Sequence, residues 1–249
     1  MGTASNAAHF MLIPSPLCGP ATWGPVAAML GRRGVTTTVI TLRDGDPMSP
    51  YWRQHAATAG AALALLPRGH RPLLVAHGGA GPLLPAIRRA AARPVGGYLF
   101  ADAGLPHPRA SRLDEIARTA PEIAGALRAE LTAGGCYPAW DDVALRPLIP
   151  DPARRAATLA ELRPRPLAFF TETLPQVAAW PDAPCAYLRF SAAYAMHIAA
   201  ARARGWPTRA FDAGHFHQLV DPEAVAGALL ALAAEAAMTS GEERARCGS

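Results

Sequence analysis

The chain predicts an α/β fold: a mostly parallel sheet flanked by helices, with a helical stretch inserted late in the core. Three observations carry this. Short apolar or β-branched runs alternate with segments of helix composition. The run Leu73-Leu74-Val75-Ala76 ends in His77-Gly78-Gly79-Ala80-Gly81 and passes at once into a helix-like segment from 82 to 92, giving strand, tight turn and helix. Between 103 and 180 the alternation stops and only helical stretches with Pro-rich turns are found, which reads as a cap. The expected division is therefore an α/β core of residues 1–102 and 181–249 with a cap, 103–180, inserted in it.

Taken in order, Phe10 to Ile13 is a buried strand closed by Pro14-Ser15-Pro16, and Thr22 is placed to cap a helix over Trp23 to Leu30. Val35 to Leu42 is β-branched and makes the second strand; Tyr51 to Leu66 is a helix ending at Pro67-Arg68-Gly69. Leu73 to Ala76 is the third strand and Val95 to Ala101 the fourth, followed by Asp102-Ala103-Gly104. After the cap, Pro184 to Arg189, a helix from Ala192 to Arg204, and Pro207 to Phe211 resume the sheet. Asp212-Ala213-Gly214-His215-Phe216-His217 is a loop before a last helix, Val220 to Ala237, whose start is marked by Asp221-Pro222-Glu223; Thr239 to Ser249 reads as a frayed tail.

At 249 residues the chain accommodates one such unit. Its formal charge of +5 comes from arginines with no lysine, scattered over separate helices, so no basic stripe for nucleic acid is expected. Cys18, Cys136, Cys185 and Cys247 lie far apart with no metal spacing and read as thiols of a reducing compartment; no metal and no cofactor are expected. No basic-then-apolar leader is seen at Met1 to Ala8, and no run reaches the roughly 18–20 apolar residues that span a bilayer. A cytoplasmic protein with a small-molecule partner, no nucleic acid and no membrane is the expectation, and a homodimer is compatible with it.

The turn at 76–80 has the small-x-x-x-small form in which a nucleophilic serine is held between strand and helix. Here Gly78 stands at the centre, and glycine carries no group that can attack a carbonyl. With the later order of acid and then histidine in Asp-Ala-Gly-His-Phe, the chain resembles the α/β-hydrolases of the small, cofactorless, capped type over nearly its whole length. The resemblance implies that His215 is the catalytic histidine and that His217 points elsewhere; alternation at the turn makes His77 a buried support residue. Asp102, at the end of the fourth strand, is the favoured acid and Asp212 the alternative, because the loop Phe190-Ser191-Ala192-Ala193 offers no carboxylate. The resemblance also implies an oxyanion hole in the first loop. Pro16 stands at the usual donor and has no N–H, so Leu17 is the expected substitute with Gly79 as second donor.

Tyr137, Trp140, Phe169, Phe170 and Trp180 are candidates to line a mainly apolar pocket, whereas Asp141, Asp142 and Glu172 read as solvated surface. The function expected is an α/β-hydrolase-fold enzyme without the serine. It would use His215 and Asp102 for non-covalent acid–base catalysis (elimination, cyclisation, isomerisation or water-mediated hydrolysis) on a small, mainly apolar substrate of natural-product type. The alternatives are a serine esterase or thioesterase whose nucleophile has been replaced by glycine, and a pseudo-hydrolase that only binds.

Overall fold

The structure, a computed structural model, describes residues 9–247, with side chains to residue 238. Six strands form one sheet: β1 (His9–Ile13), β2 (Thr36–Val39), β3 (Leu73–Gly78), β4 (Gly97–Ala103), β5 (Cys185–Arg189) and β6 (Thr208–Ala210), in the order β2-β1-β3-β4-β5-β6. All five neighbouring pairs are parallel. Parallel strands need crossovers, and the crossovers supply helices to both faces.

The alternation of side chains sorts two cores. Met11, Ile13, Leu74, Ala76, Tyr98 and Phe100 face α2 (Tyr51–Ala64), α3 (Leu84–Ala91) and α9 (Ala195–Ala203). Phe10, Leu12, Val75, Leu99 and Leu188 face α1 (Gly24–Arg32) and α10 (Pro222–Cys247). A strand buried on both faces must be apolar at every position, which is why β1 reads as an unbroken run rather than an alternating one.

All six expected strands are present. Three local expectations are corrected. Thr22 closes a short 3₁₀ turn, Pro20–Thr22, and donates its hydroxyl to Gly19 O at 2.9 Å, so it does not cap α1, whose N-cap is Trp23. The last helix does begin where Asp221 accepts from Ala224 N at 2.9 Å, but it runs on to Cys247. Its end carries Glu, Arg and Ala, all good helix formers, so the segment beyond Thr239 continues the helix through 247 rather than forming a tail. Glu172 is also not solvated surface, as shown below. Residues 248 and 249 and the leader expectation at 1–8 lie outside the described residues.

Between β4 and β5 the chain forms α4 (Arg112–Thr119), α5 (Pro121–Thr132), α6 (Asp142–Leu145), α7 (Pro152–Ala160) and α8 (Leu167–Thr171), with isolated antiparallel bridges between Ser111 and Thr173 and between Tyr137 and Arg165. Its own core holds Leu113, Leu127, Leu131, Phe169 and Phe170. Arg112 at the start of α4 bonds Glu172 at 2.6 Å and Phe169 O at 3.2 Å, and its guanidinium lies 4.1 Å over the Phe169 ring. Glu172 also accepts from Trp52 N on α2 at 3.0 Å, tying the inserted segment to the core. Among the described residues no helix is long and apolar enough to cross a membrane.

Candidate active site

The site is built where β1, β3, β4 and β5 end. β3 stops in a backbone that only glycine adopts freely: Gly78 has φ +55°. The register of β3 against β4 shifts between His77 and Gly78, and Gly104 N bonds Gly78 O at 3.1 Å. The turn then packs hard on the end of β4. A Cβ at Gly81 would lie 2.0 Å from Gly104 O, so that position must also be glycine. The tight strand-to-helix turn expected from the sequence is therefore set by close backbone approach on one side and positive φ on the other.

His215 is brought over this turn by the loop after β6. Its Nδ1 donates to Asp102 Oδ2 at 2.8 Å, which leaves the lone pair on Nε2 directed away from the acid. A Cβ on Gly78 would stand 3.3 Å from that Nε2 and 3.3 Å from Ser15 Cβ. The space beside Gly78 is thus narrow, bounded by imidazole on one side and the first loop on the other.

Asp102 is fully buried, with φ +44°, a conformation Asp tolerates better than most side chains. Its Oδ1 accepts from Phe190 N at 2.8 Å and Ser191 N at 2.9 Å, and its Oδ2 accepts from Ser191 Oγ at 2.7 Å. Burial alone raises its pKa, but His215 and Ser191 outweigh it and hold the carboxyl below its ordinary value. The loop Phe190–Ser191 that offers no carboxylate therefore supplies the donors that keep Asp102 charged. Asp212, the alternative acid, is exposed.

Two rings fix the imidazole in place. His77 stacks on it with centroids 4.3 Å apart and donates Nε2–H to His215 O at 3.0 Å, while Tyr194 stacks at 5.2 Å and 9°. Gln218 Nε2 bonds His77 Nδ1 at 3.4 Å. Complete burial, then the neighbouring His215, push the His77 pKa down to about 3, so it is neutral and structural. His217 faces Phe211 at 4.7 Å and Phe190 at 5.9 Å, away from Asp102.

The first loop departs from the expected oxyanion hole. Leu17 N is turned onto Ser15 Oγ at 3.4 Å and is not free to donate elsewhere, and Cys18 N bonds Ser15 O at 2.9 Å. The inserted segment holds this arrangement: Arg163 N bonds Leu17 O at 2.9 Å, and Arg165 Nη2 bonds Pro16 O at 3.1 Å. Arg165 is itself paired with Asp44 at 2.5 Å, and Asp44 accepts from His55 at 2.7 Å. Cys18, the thiol nearest in sequence, is buried, and burial together with Glu161 raises its pKa to about 12, so it stays protonated. Cys185 is also a buried free thiol, and Cys136 is an exposed one.

The aromatic expectations divide. Phe169 and Phe170 are 1% and 2% exposed, their faces spent inside the inserted segment. Trp180 packs on Tyr98 at 5.4 Å, far along β4 from Asp102. Tyr137 stands against Trp140 at 5.7 Å, and Trp140 against Phe216, the neighbour of His215, at 5.8 Å. Of the five candidates, these two are the ones packed toward the histidine, through Phe216. Asp141 caps α6 through Ala144 N, and Asp142 pairs with Arg146 and Arg155. Among the described residues no group of three His, Cys, Asp or Glu is placed to hold a metal.

A family model described as the Alpha/beta hydrolase family matches residues 9–228. The chain belongs to the alpha/beta hydrolase family. Solved structures of this hydrolase fold match over nearly the whole chain. An extracellular alpha/beta-hydrolase from a Paenibacillus species has a TM-score of 0.72 at 16% identity, covering 92% of this chain and 98% of its own. Polyneuridine aldehyde esterase has a TM-score of 0.70 at 15% identity, covering 91% and 99%. A variant of tomato methylketone synthase I complexed with β-ketoheptanoate has a TM-score of 0.70 at 14% identity, covering 92% and 98%. Among curated protein sequences nothing matches.

Returning a serine to this hydrolase turn is expected not to make an esterase. Gly78→Ser places a side chain at φ +55°, which costs about 1–2 kcal/mol, and crowds Nε2 and Ser15 at 3.3 Å. The hole above it still lacks the Pro16 donor. A lowered melting temperature without hydrolysis of p-nitrophenyl esters is the predicted outcome. Turnover of those esters would show that only the nucleophile had been lost.

Proposed function

We propose that this hydrolase-fold chain is a cofactor-independent enzyme in which His215, oriented and charge-compensated by Asp102, moves a proton on a substrate that is never covalently attached. The observation that carries the reading is the position of His215 Nε2, 3.3 Å from the point where a side chain at 78 would begin, with its Nδ1 bonded to a buried carboxylate. A group placed at that point meets a base whose tautomer is already set. Asp102 stabilises the imidazolium that forms when Nε2 takes the proton. A protein that only bound its ligand would have no use for a buried, four-times hydrogen-bonded aspartate aimed at a histidine. Keeping that carboxylate dry is costly without a role for its charge.

The substrate is small and mainly apolar, approached through Tyr137 and Trp140, with the inserted segment acting as its cap. The solved relatives support a carbonyl compound. Tomato methylketone synthase I has been solved with β-ketoheptanoate and with 2-tridecanone, a 3-oxo acid and a methyl ketone. Loss of CO2 from the first class gives the second, an elimination that needs no acyl-enzyme. General acid–base catalysis supplies roughly 10² to 10⁴ in rate, enough for substrates with so labile a bond.

The test is a mass-spectrometric screen of 3-oxo acids, lactones and β-hydroxy carbonyl compounds with the native chain and with His215→Ala. Conversion of at least one class by the native chain is expected, with a loss of at least 10²-fold in the variant. Turnover by the variant within tenfold of the native chain, or none by either, overturns the reading.

A further inference from the structure

We propose that the Tyr194 hydroxyl selects the substrate: it donates a hydrogen bond to a second oxygen, one that takes no part in the reaction, so that the site prefers carbonyl compounds with two oxygen functions to simple ketones. The inference deepens the acid–base reading and rests on it for where the substrate sits, though not for proton transfer.

Tyr194 ends a short 3₁₀ turn, Ala192–Tyr194, that follows Ser191 directly. Its N–H bonds Ser191 O at 3.3 Å, so the ring is tied to the residue that holds Asp102. The ring lies 5.2 Å from the His215 imidazole and 5.5 Å from that of His197, whose Nδ1 accepts from Leu105 N at 3.3 Å. A phenol carries its oxygen in the plane of its ring. With the Tyr194 and His215 rings only 9° from parallel, the hydroxyl is carried beside the imidazole and not onto its nitrogens.

That hydroxyl has no hydrogen-bond partner among the described residues. The fully buried tyrosines differ: Tyr98 donates to Asp182 at 2.5 Å and Tyr187 to Ala103 O at 2.6 Å. An enclosed phenol is normally bonded in this way, so the open donor on Tyr194 stands out. Burial first, then the charge of Asp102 and the nearby Tyr137 and Cys18, raise its pKa, so the proton stays on the oxygen and the group donates a hydrogen bond without giving the proton up. Tyr137 belongs to the inserted segment and Cys18 to the first loop. The hydroxyl therefore faces the space between those two parts of the chain, beside the histidine.

The donor stands off the reacting point. The atoms nearest the position where a side chain at Gly78 would begin are those of His215 and Ser15, at 3.3 Å, and none belongs to Tyr194. A substrate whose reacting carbon faces Nε2 thus meets Tyr194 with another part of its body. The neighbouring wall is apolar, built from Leu17, Trp140 and Phe216, and offers such an oxygen nothing. A compound with the second oxygen pairs with the hydroxyl; a simple ketone covers the hydroxyl and leaves it unpaired. That unmatched donor is the source of the selection.

The test is calorimetric binding of 2,4-nonanedione and of 2-nonanone, which lacks the second oxygen, to the native chain, Tyr194→Phe and His215→Ala. The native chain is expected to bind the diketone more tightly than the ketone. Tyr194→Phe keeps the ring on His215 and removes only the hydroxyl. It should weaken diketone binding by about three- to tenfold, the net worth of one hydrogen bond, and leave the ketone within about twofold, at an unchanged melting temperature. Equal loss of both ligands, loss of neither, or no binding of the diketone by the native chain overturns the proposal. Binding needs no proton transfer. A preference that vanishes in Tyr194→Phe and persists in His215→Ala upholds the role of Tyr194 even where the substrate screen sinks the acid–base reading.

Discussion

Asp102→Asn is expected to lower turnover by about 10³- to 10⁴-fold while leaving the fold intact. The hydrogen bonds around this residue make the substitution unusually clean. Phe190 N and Ser191 N both donate to Oδ1, so the amide oxygen of an asparagine is held there and its NH2 is forced to the Oδ2 side. That NH2 donates to His215 Nδ1, where the carboxylate accepted. The imidazole must then carry its proton on Nε2, the atom facing Gly78, and can no longer act as a base. Asparagine also tolerates φ +44° as well as aspartate does, so no backbone penalty accompanies the change. Turnover measured on whichever class the native chain converts, alongside thermal melting, checks it. Activity within tenfold of the native chain would mean that the tautomer of His215 is not what matters. A collapse of the melting temperature would make Asp102 a structural residue first.

The second large effect is on stability against pH. His77 and His55 are both fully buried, and burial is the main reason their pKa values fall from 6.5 to about 3 and about 4. For each, the folded chain stays neutral while the unfolded chain takes a proton below 6.5. Unfolding at pH 5 therefore binds close to two protons, and stability falls as pH falls, by about 2.5 kcal/mol per pH unit near pH 5. The smaller downward shifts of His197 and His107 act in the same direction. Asp102 does not contribute in this window: its lowered pKa gives stability that is lost only as pH drops through its folded value, below the ordinary carboxylate range. Urea unfolding at pH 5, 6 and 7 reads the slope directly. His77→Leu should remove about one proton from it; a flat profile between pH 5 and 6.5 would contradict the neutral burial of both histidines.

The sheet was legible because its strands are apolar runs closed by Gly, Pro or Asp, a pattern that parallel, doubly covered strands impose on any chain. The turn at Gly78 and the loop carrying His215 were legible for the same local reason. What escaped reading depends on distant partners. Glu172 looks like a surface charge until Arg112 is brought to it across the inserted segment. Phe169 and Phe170 are apolar whichever way they face, and only the packing of Leu113, Leu127 and Leu131 around them shows that they turn inward. Ser15 between two prolines reads as a turn former. Its proximity to Gly78 is set by chain closure between β1 and β3, and the one available signal was the missing N–H at Pro16. Thr22 failed as a cap because the 3₁₀ turn before it already used its hydroxyl.

The grip of Arg163 and Arg165 on the first loop has a consequence for how this scaffold can change. The inserted segment is not a detachable lid, since two of its backbone and side-chain donors hold the carbonyls of Pro16 and Leu17. Exchanging it for another would also release the loop that carries Ser15. A graft of another segment would therefore have to rebuild the hydrogen bonds that fix the Pro16 and Leu17 carbonyls.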